Sequence, residues 1–312
     1  MGQSSSTEQK KYNNFYHICN IIPDIPQSNH KIWECNNNDL EIPQILDRRY
    51  DLDLSPSMLN MDLKFNGAYM IASCIYNILS LQYGYKHMLS IQMIYWQSVR
   101  EFFQLQSIDS SMNYKLSISS ILNIIKNMYI CSEKEFSIYN DQNVSDNILI
   151  DNHQKPFFNM EYYYIPNQEK ILKNILFNNN LILANIVLFS TFLECEDGII
   201  HPPGEDDQSA GMIVVTIVGY QENIWIAKFP FGVHWGDNGY GYISFDYFNR
   251  YNRDRWLINI NSCSSPPSLK HSSEILSAEM PDQNECNTLY KKYNKVSSKH
   301  QNSNNIRRRT FA

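Results

Sequence analysis

The stretch Ile213-Val-Val-Thr-Ile-Val-Gly-Tyr220, continued by Trp225-Ile-Ala-Lys-Phe229-Pro-Phe-Gly-Val-His-Trp-Gly-Asp-Asn-Gly-Tyr240, decides the fold. β-Branched residues dominate its first run, and their stiff χ1 angles suit an extended chain better than a helix. The polar triplet Gln221-Glu222-Asn223 separates this run from the next, which predicts a reversal and antiparallel pairing of Met212–Val218 with Ile224–Phe229. Asp237-Asn238-Gly239 marks a second turn before a further strand over Gly241–Phe245, and Leu181–Phe189 reads as a strand upstream.

The first half of the chain has a different period. Met70, Ile71, Cys74, Ile75, Ile78 and Leu79 recur at helical spacing, so this segment presents one apolar stripe to a core, starting near Gly67 and stopping at Gly84. Ile91 to about Phe103 reads as a second helix. Ser117 is placed to cap a third, running to Met128 and burying Ile118, Ile121, Leu122 and Ile125. Helices first and strands later define an α+β protein, with a helical half over about 60–140 and a sheet half over about 160–263.

The 312 residues, 43% of them hydrophobic, are enough for a sizeable core. The net charge of −6 argues against a nucleic-acid partner, because phosphate recognition calls for a concentrated basic surface and the main basic cluster is Arg307-Arg308-Arg309. The seven Cys are odd in number and lack a Cys-x-x-Cys pair, so they read as reduced thiols of a cytosolic protein; neither a metal nor a cofactor is expected. The sequence contains no secretory signal and no apolar run of membrane-spanning length, so a secreted protein is not expected. Residues 1–14 read as a flexible arm, 15–263 as the domain, and 264–312 as a polar tail. Met1-Gly2-Gln3-Ser4-Ser5-Ser6 fits the pattern for myristoylation of Gly2. One such chain holds a protein to a membrane only marginally, so stable attachment needs a second signal.

This order of elements resembles the papain-like cysteine peptidases, and within them the non-secreted branch of bacteria and large DNA viruses. Ile22-Pro23-Asp24-Ile25-Pro26 resembles that branch's Pro-Asp-Leu-Pro element, and Tyr50-Asp51-Leu52 its Val-Asp-Leu strand. Leu89-Ser90-Ile91 through Trp96 is similar to its second helix, and Ser117-Ile118 through Glu133 to the helix ending in Tyr-Gly-Val-Cys-Pro-Glu. Ile186–Phe189 with Gly198 and Pro202 resembles the approach to the catalytic His. Ser244–Phe248 and Trp256 resemble the closing segment. The resemblance implies a two-lobed fold, with a helical left half and an antiparallel, β-barrel-like right half meeting at a cleft.

The family's chemistry needs a Cys thiolate at a helix N-terminus, an imidazole beside it, an Asn that orients the imidazole, and a Gln that stabilises the oxyanion. Aligned on Gly67, the family pattern sets Leu63 at the Gln, Tyr69 at the nucleophile, Ile213 at the His and Phe229 at the Asn, with Phe231 at a shielding Trp. These replacements predict no catalytic set and a cleft filled with apolar side chains. An alternative alignment sets Ser73-Cys74-Ile75-Tyr76-Asn77 on Gly-Ser-Cys-Thr-Ala-Asn and makes Cys74 the nucleophile, with His201 as its partner. Against it, Cys74 sits within the apolar stripe, where a thiol packs as a small hydrophobe.

The resulting expectation is a catalytically inactive papain-like protein that binds or builds. Its expected partners are a membrane, through the N-myristoyl group on Gly2, and a protein or peptide in or near the cleft. It would reside in the cytoplasm or on the cytoplasmic face of a membrane, and in a large DNA virus within the virion. The alternative is an active cysteine endopeptidase working through Cys74.

Overall fold

In the computed structural model, the described residues are 21–24, 30–34, 41–49, 63–105, 112, 114–137, 156–189, 192, 199–200 and 202–264. Among them are eight strands: β1 (Ile45–Asp47), β2 (Phe158–Tyr164), β3 (Ile182–Phe189), β4 (Ile199–Ile200), β5 (Ser209–Gln221), β6 (Ile224–Lys228), β7 (Tyr240–Ser244) and β8 (Asn252–Cys263). Five α-helices accompany them: α1 (Asn66–Tyr83), α2 (Ile91–Phe103), α3 (Ile118–Asn127), α4 (Glu169–Phe177) and α5 (Phe245–Tyr251).

The strands form one sheet in the order β2-β8-β3-β5-β6-β7-β4, with β1 also paired to β5. It is an open sheet, where the family resemblance implied a barrel-like half. Every pairing between these strands is antiparallel except β4 with β7. Successive side chains of a strand point to opposite faces, and β5 is covered on both. Val214 and Val218 join Leu183, Ile226 and Trp256 in a core shared with α1, α2 and α3. Ile213, Val215 and Ile217 join Ile186, Leu188 and Ala227 in a second core shared with α4 and α5. Burying one such side chain contributes about 1.5–3 kcal/mol, so the apolar run of β5 is held by both layers at once.

The helix starts follow their capping residues. Ser90 Oγ accepts the Met93 N–H at 3.1 Å at the start of α2. Ser117 caps α3 as the sequence predicts, and it does so in a reciprocal capping box with Ser120. Helix α1 stops at Gly84, whose φ of 67° is left-handed and whose N–H bonds back to the Ser80 carbonyl. The expected strand over Gly241–Phe245 ends one residue early, because Ser244 Oγ accepts the Tyr247 N–H and opens α5. Residues 50–52, 1–14 and 265–312, which carry the sequence readings of a first strand, an arm and most of the tail, lie outside the described residues.

The N-terminal Pro-Asp element is pinned between a helix and the sheet. The Asp24 carboxylate accepts the Ser119 N–H at 2.9 Å, and the Asp24 N–H donates to Asp254 at 3.0 Å. Asp254 also accepts from Asn185 and Trp256. Burial, with the Asp24 charge adding to it, pushes its carboxyl up to about 7.

Strand β1 lies so close to β5 that Gly219, opposite Asp47, has no room for a side chain: a Cβ there would overlap the Leu46 carbonyl oxygen. Gly219→Ala is therefore expected to cost about 1–3 kcal/mol by forcing β1 off the sheet. Urea unfolding measures this, and an unchanged midpoint would show that β1 does not contribute to stability.

Candidate functional site

Helix α1 is aimed at β5, and its first residue makes the connection. The ladder between β5 and β6 ends at Thr216 and Lys228, beyond which the Val214 N–H donates to Asn66 Oδ1 at 3.0 Å. Asn66 is only 3% exposed, and its Nδ2 is buried without a hydrogen-bond partner. This bond sets the helix N-terminus beside Ile213, the residue that the family alignment matches to the catalytic His. Tyr69, which the family pattern sets at the nucleophile, lies almost a full turn inside the helix. The helix begins one residue before the Gly67 at which the sequence predicts it, and the residue before Asn66 is Phe65, so no Ser, Thr, Asp or Asn caps it.

Tyr69 does not share a core with Ile213 and Phe229. Leu63 lies in a 3₁₀ turn, Leu63–Phe65, ahead of α1. Tyr69 packs in the core between the helices and the sheet. Ile213 and Phe229 belong to the core on the other face. The reason is strand parity: Val214 and Lys228 face α1, so their neighbours Ile213 and Phe229 face away from it.

Phe229 is enclosed by other rings. Its centroid lies 5.6 Å from Phe192, 6.1 Å from Phe231 and 4.6 Å from Trp235, and Phe192 stacks on Trp235 at 5.1 Å. Phe231 thus joins the same cluster, which holds the loop after β6 against the sheet. On the α1 side, Lys228 is buried with its Nζ donating to Ser73 Oγ at 3.1 Å and lying 5.7 Å from the centre of the Tyr69 ring. Burial pulls its ammonium down from an ordinary 10.5 to about 7.

Cys74 is fully buried within α1, and burial pushes its thiol up to about 12. A thiol in that state is protonated at neutral pH and has no access to a substrate. His201, its suggested partner, and Gly2 lie outside the described residues. Among the described histidines, His30 packs edge-on against Trp256, His87 packs against Tyr85, and His234 lies in the loop between β6 and β7. Among the described residues, no cluster of His, Cys, Asp or Glu could hold a metal ion, and no helix is long and apolar enough to cross a membrane.

Comparison with known proteins agrees with this geometry. The family model for papain family cysteine proteases matches residues 113–256. Among solved structures, the chain is similar to xylellain, a cysteine protease from Xylella fastidiosa, with a TM-score of 0.64 and 17% identity over 78% of this chain and 96% of that one. It is also similar to digestive procathepsin L 3 of the Tenebrio molitor larval midgut, with a TM-score of 0.58 and 18% identity over 78% of each chain. A third, procathepsin B S9 from Trypanosoma congolense, gives 0.61 and 13% over 80% of this chain and 87% of that one. No curated protein matches the chain in sequence. The fold is that of the papain-like cysteine proteases. Residues 113–256 match the papain family, in keeping with the resemblance read from the sequence.

Two substitutions probe this region. Phe229→Asn, which brings in the amide that the family chemistry uses, is expected to lower stability by about 3–5 kcal/mol, because it opens a cavity among packed rings. Chemical denaturation reads this, and a loss under about 1 kcal/mol would mean that the cluster does not hold the loop. For Lys228, the unfolded chain binds more protons than the folded one between pH 7 and 10.5, so this residue makes stability rise with pH across that window. Lys228→Met is expected to remove that rise and to be the more stable protein below pH 7. Differencing the two pH–stability curves cancels the thiols and phenols, and parallel curves would refute the buried-ammonium account.

Proposed function

We propose that this papain-family chain is a catalytically inactive member that acts as a binding or structural component at a membrane. The observation that carries the reading is the start of α1. In this family's chemistry a thiolate forms at that helix terminus; here Asn66 occupies it, with its amide engaged by β5. An amide is not a nucleophile, and the segment Leu63–Tyr69 contains no thiol. Ile213 beside it takes up no proton, and Phe229 is locked among aromatic rings. Loss of the thiol, the base and the orienting amide together leaves neither attack nor proton transfer to be catalysed.

Hydrolysis through Cys74 and His201 is the second reading. It rests on the Ser73-Cys74 sequence, and the burial and raised pKa of Cys74 weigh against it. The protein or peptide bound near the groove has no residue-level signature, so only its class is proposed. Membrane attachment is proposed through a myristoyl group on Gly2, which puts the protein on the cytoplasmic face of a membrane and, in a large DNA virus, within the virion.

Reaction of the purified chain with an epoxide probe for cysteine proteases is expected to leave Cys74 unlabelled, alongside no turnover of peptide substrates. Probe labelling that disappears in Cys74→Ser, together with peptide cleavage, would establish the enzyme instead.

A further inference from the structure

Three large apolar side chains stand in solvent around the end of α2. Phe102 is 48% exposed, Phe103 40% and Met112 56%. Phe102 and Phe103 pack edge to face at 5.0 Å, and the Phe103 ring lies 5.4 Å from that of Tyr114, two residues after Met112 in the chain. Arg100 and Lys115 are near these residues in the sequence, with Glu101 as the acidic neighbour. The residues of α2 from Ile91 to Val99 are buried, so the exposure is confined to its last turn.

The described chain begins beside this surface. Ile21 forms a parallel bridge with Leu116, and the Ile22 N–H donates to the Leu116 carbonyl at 2.9 Å. The pairing is parallel, so Ile21 and Ile22 run in the same direction as the segment from Tyr114 to Leu116. The Ile21 side chain fills the space next to Gly67, and the Asp24 contacts with Ser119 and Asp254 hold the segment in place. Ile21, at which the described residues begin, therefore lies against the segment that carries Tyr114 of the aromatic patch.

A single myristoyl chain binds bilayers only reversibly, with an association constant of about 10⁴ M⁻¹. A second contact close to the tether benefits from the high effective concentration that the first creates. Aromatic and Met side chains with basic neighbours suit the boundary between headgroups and acyl chains. We infer that Phe102, Phe103 and Met112 form this second contact, seated in a phospholipid bilayer when the acylated N-terminus is inserted. The inference rests on the proposed acylation of Gly2.

The test uses the full chain, acylated by an N-myristoyltransferase and checked by mass spectrometry, floated with vesicles of phosphatidylcholine and phosphatidylserine. Circular dichroism confirms that each variant is folded. The acylated F102S/F103S protein is expected to bind at least about tenfold more weakly than the acylated parent, while Ile45→Ser, which alters an exposed apolar residue on β1, binds like the parent. Equal binding by acylated F102S/F103S and parent would overturn the patch and leave the lipid reading standing. A Gly2 that the transferase does not acylate would remove the lipid reading, and this inference with it, by a separate measurement. A parent dimer that F102S/F103S converts to a monomer with vesicle binding unchanged would assign the surface to a second copy of the chain.

Discussion

Strand β5 is buried on both faces and paired along both edges, and this double constraint organises the molecule. β3 and then β1 occupy one edge, and β6 the other. Helices cover each face, so no residue between Ile213 and Tyr220 can change sides without moving an apolar side chain from one core to the other. The sheet's register, the placement of α1 and the directions of Ile213 and Phe229 all follow from that parity. Gly219 shows how little slack remains, since even a methyl group would collide with β1.

The same parity explains why the site has the character it does. The side of β5 and β6 that meets α1 carries Val214 and Lys228, while Ile213 and Phe229 turn into the opposite core. Where β5 runs past the end of its ladder with β6, a backbone N–H is left over, and Asn66 at the helix start accepts it. The contact satisfies the strand and fixes the helix, but it uses the amide oxygen and leaves Nδ2 buried and unpaired. Lys228 makes a similar compromise, its contacts inside including the Ser73 hydroxyl and the face of the Tyr69 ring, at the cost of its usual charge state. Polar groups in this region are thus engaged in packing the two halves together.

Much of the fold was legible in local pattern. The β-branched runs of β3, β5 and β6 declared themselves, as did the stripe of α1 and the Ser caps of α2 and α3. Each of these signals is carried by neighbours within a few residues. Less was legible where such signals were missing. Helix α4 lacks a side-chain cap at Gln168, and α5 is a single short helix started by Ser244 at the end of a strand. β1 is three residues long and owes its existence to pairing with a distant strand. The beginning of α1 lies one residue from the Gly67 that the sequence marks, although Phe65 offers no cap.

By itself, the sequence determined the fold class, the order of elements and the lack of a thiol around the start of α1, because these depend on residue type and on periods of two and 3.6. It also determined the apolar character of Ile213 and Phe229. Only the tertiary structure decided that these two residues share a core from which Tyr69 is excluded, that Asn66 stands at the helix terminus, and that Cys74 is sealed from solvent. Those outcomes depend on which face of one strand meets which turn of one helix. That choice is made by long-range packing across the sheet, to which no local stretch of residues is sensitive.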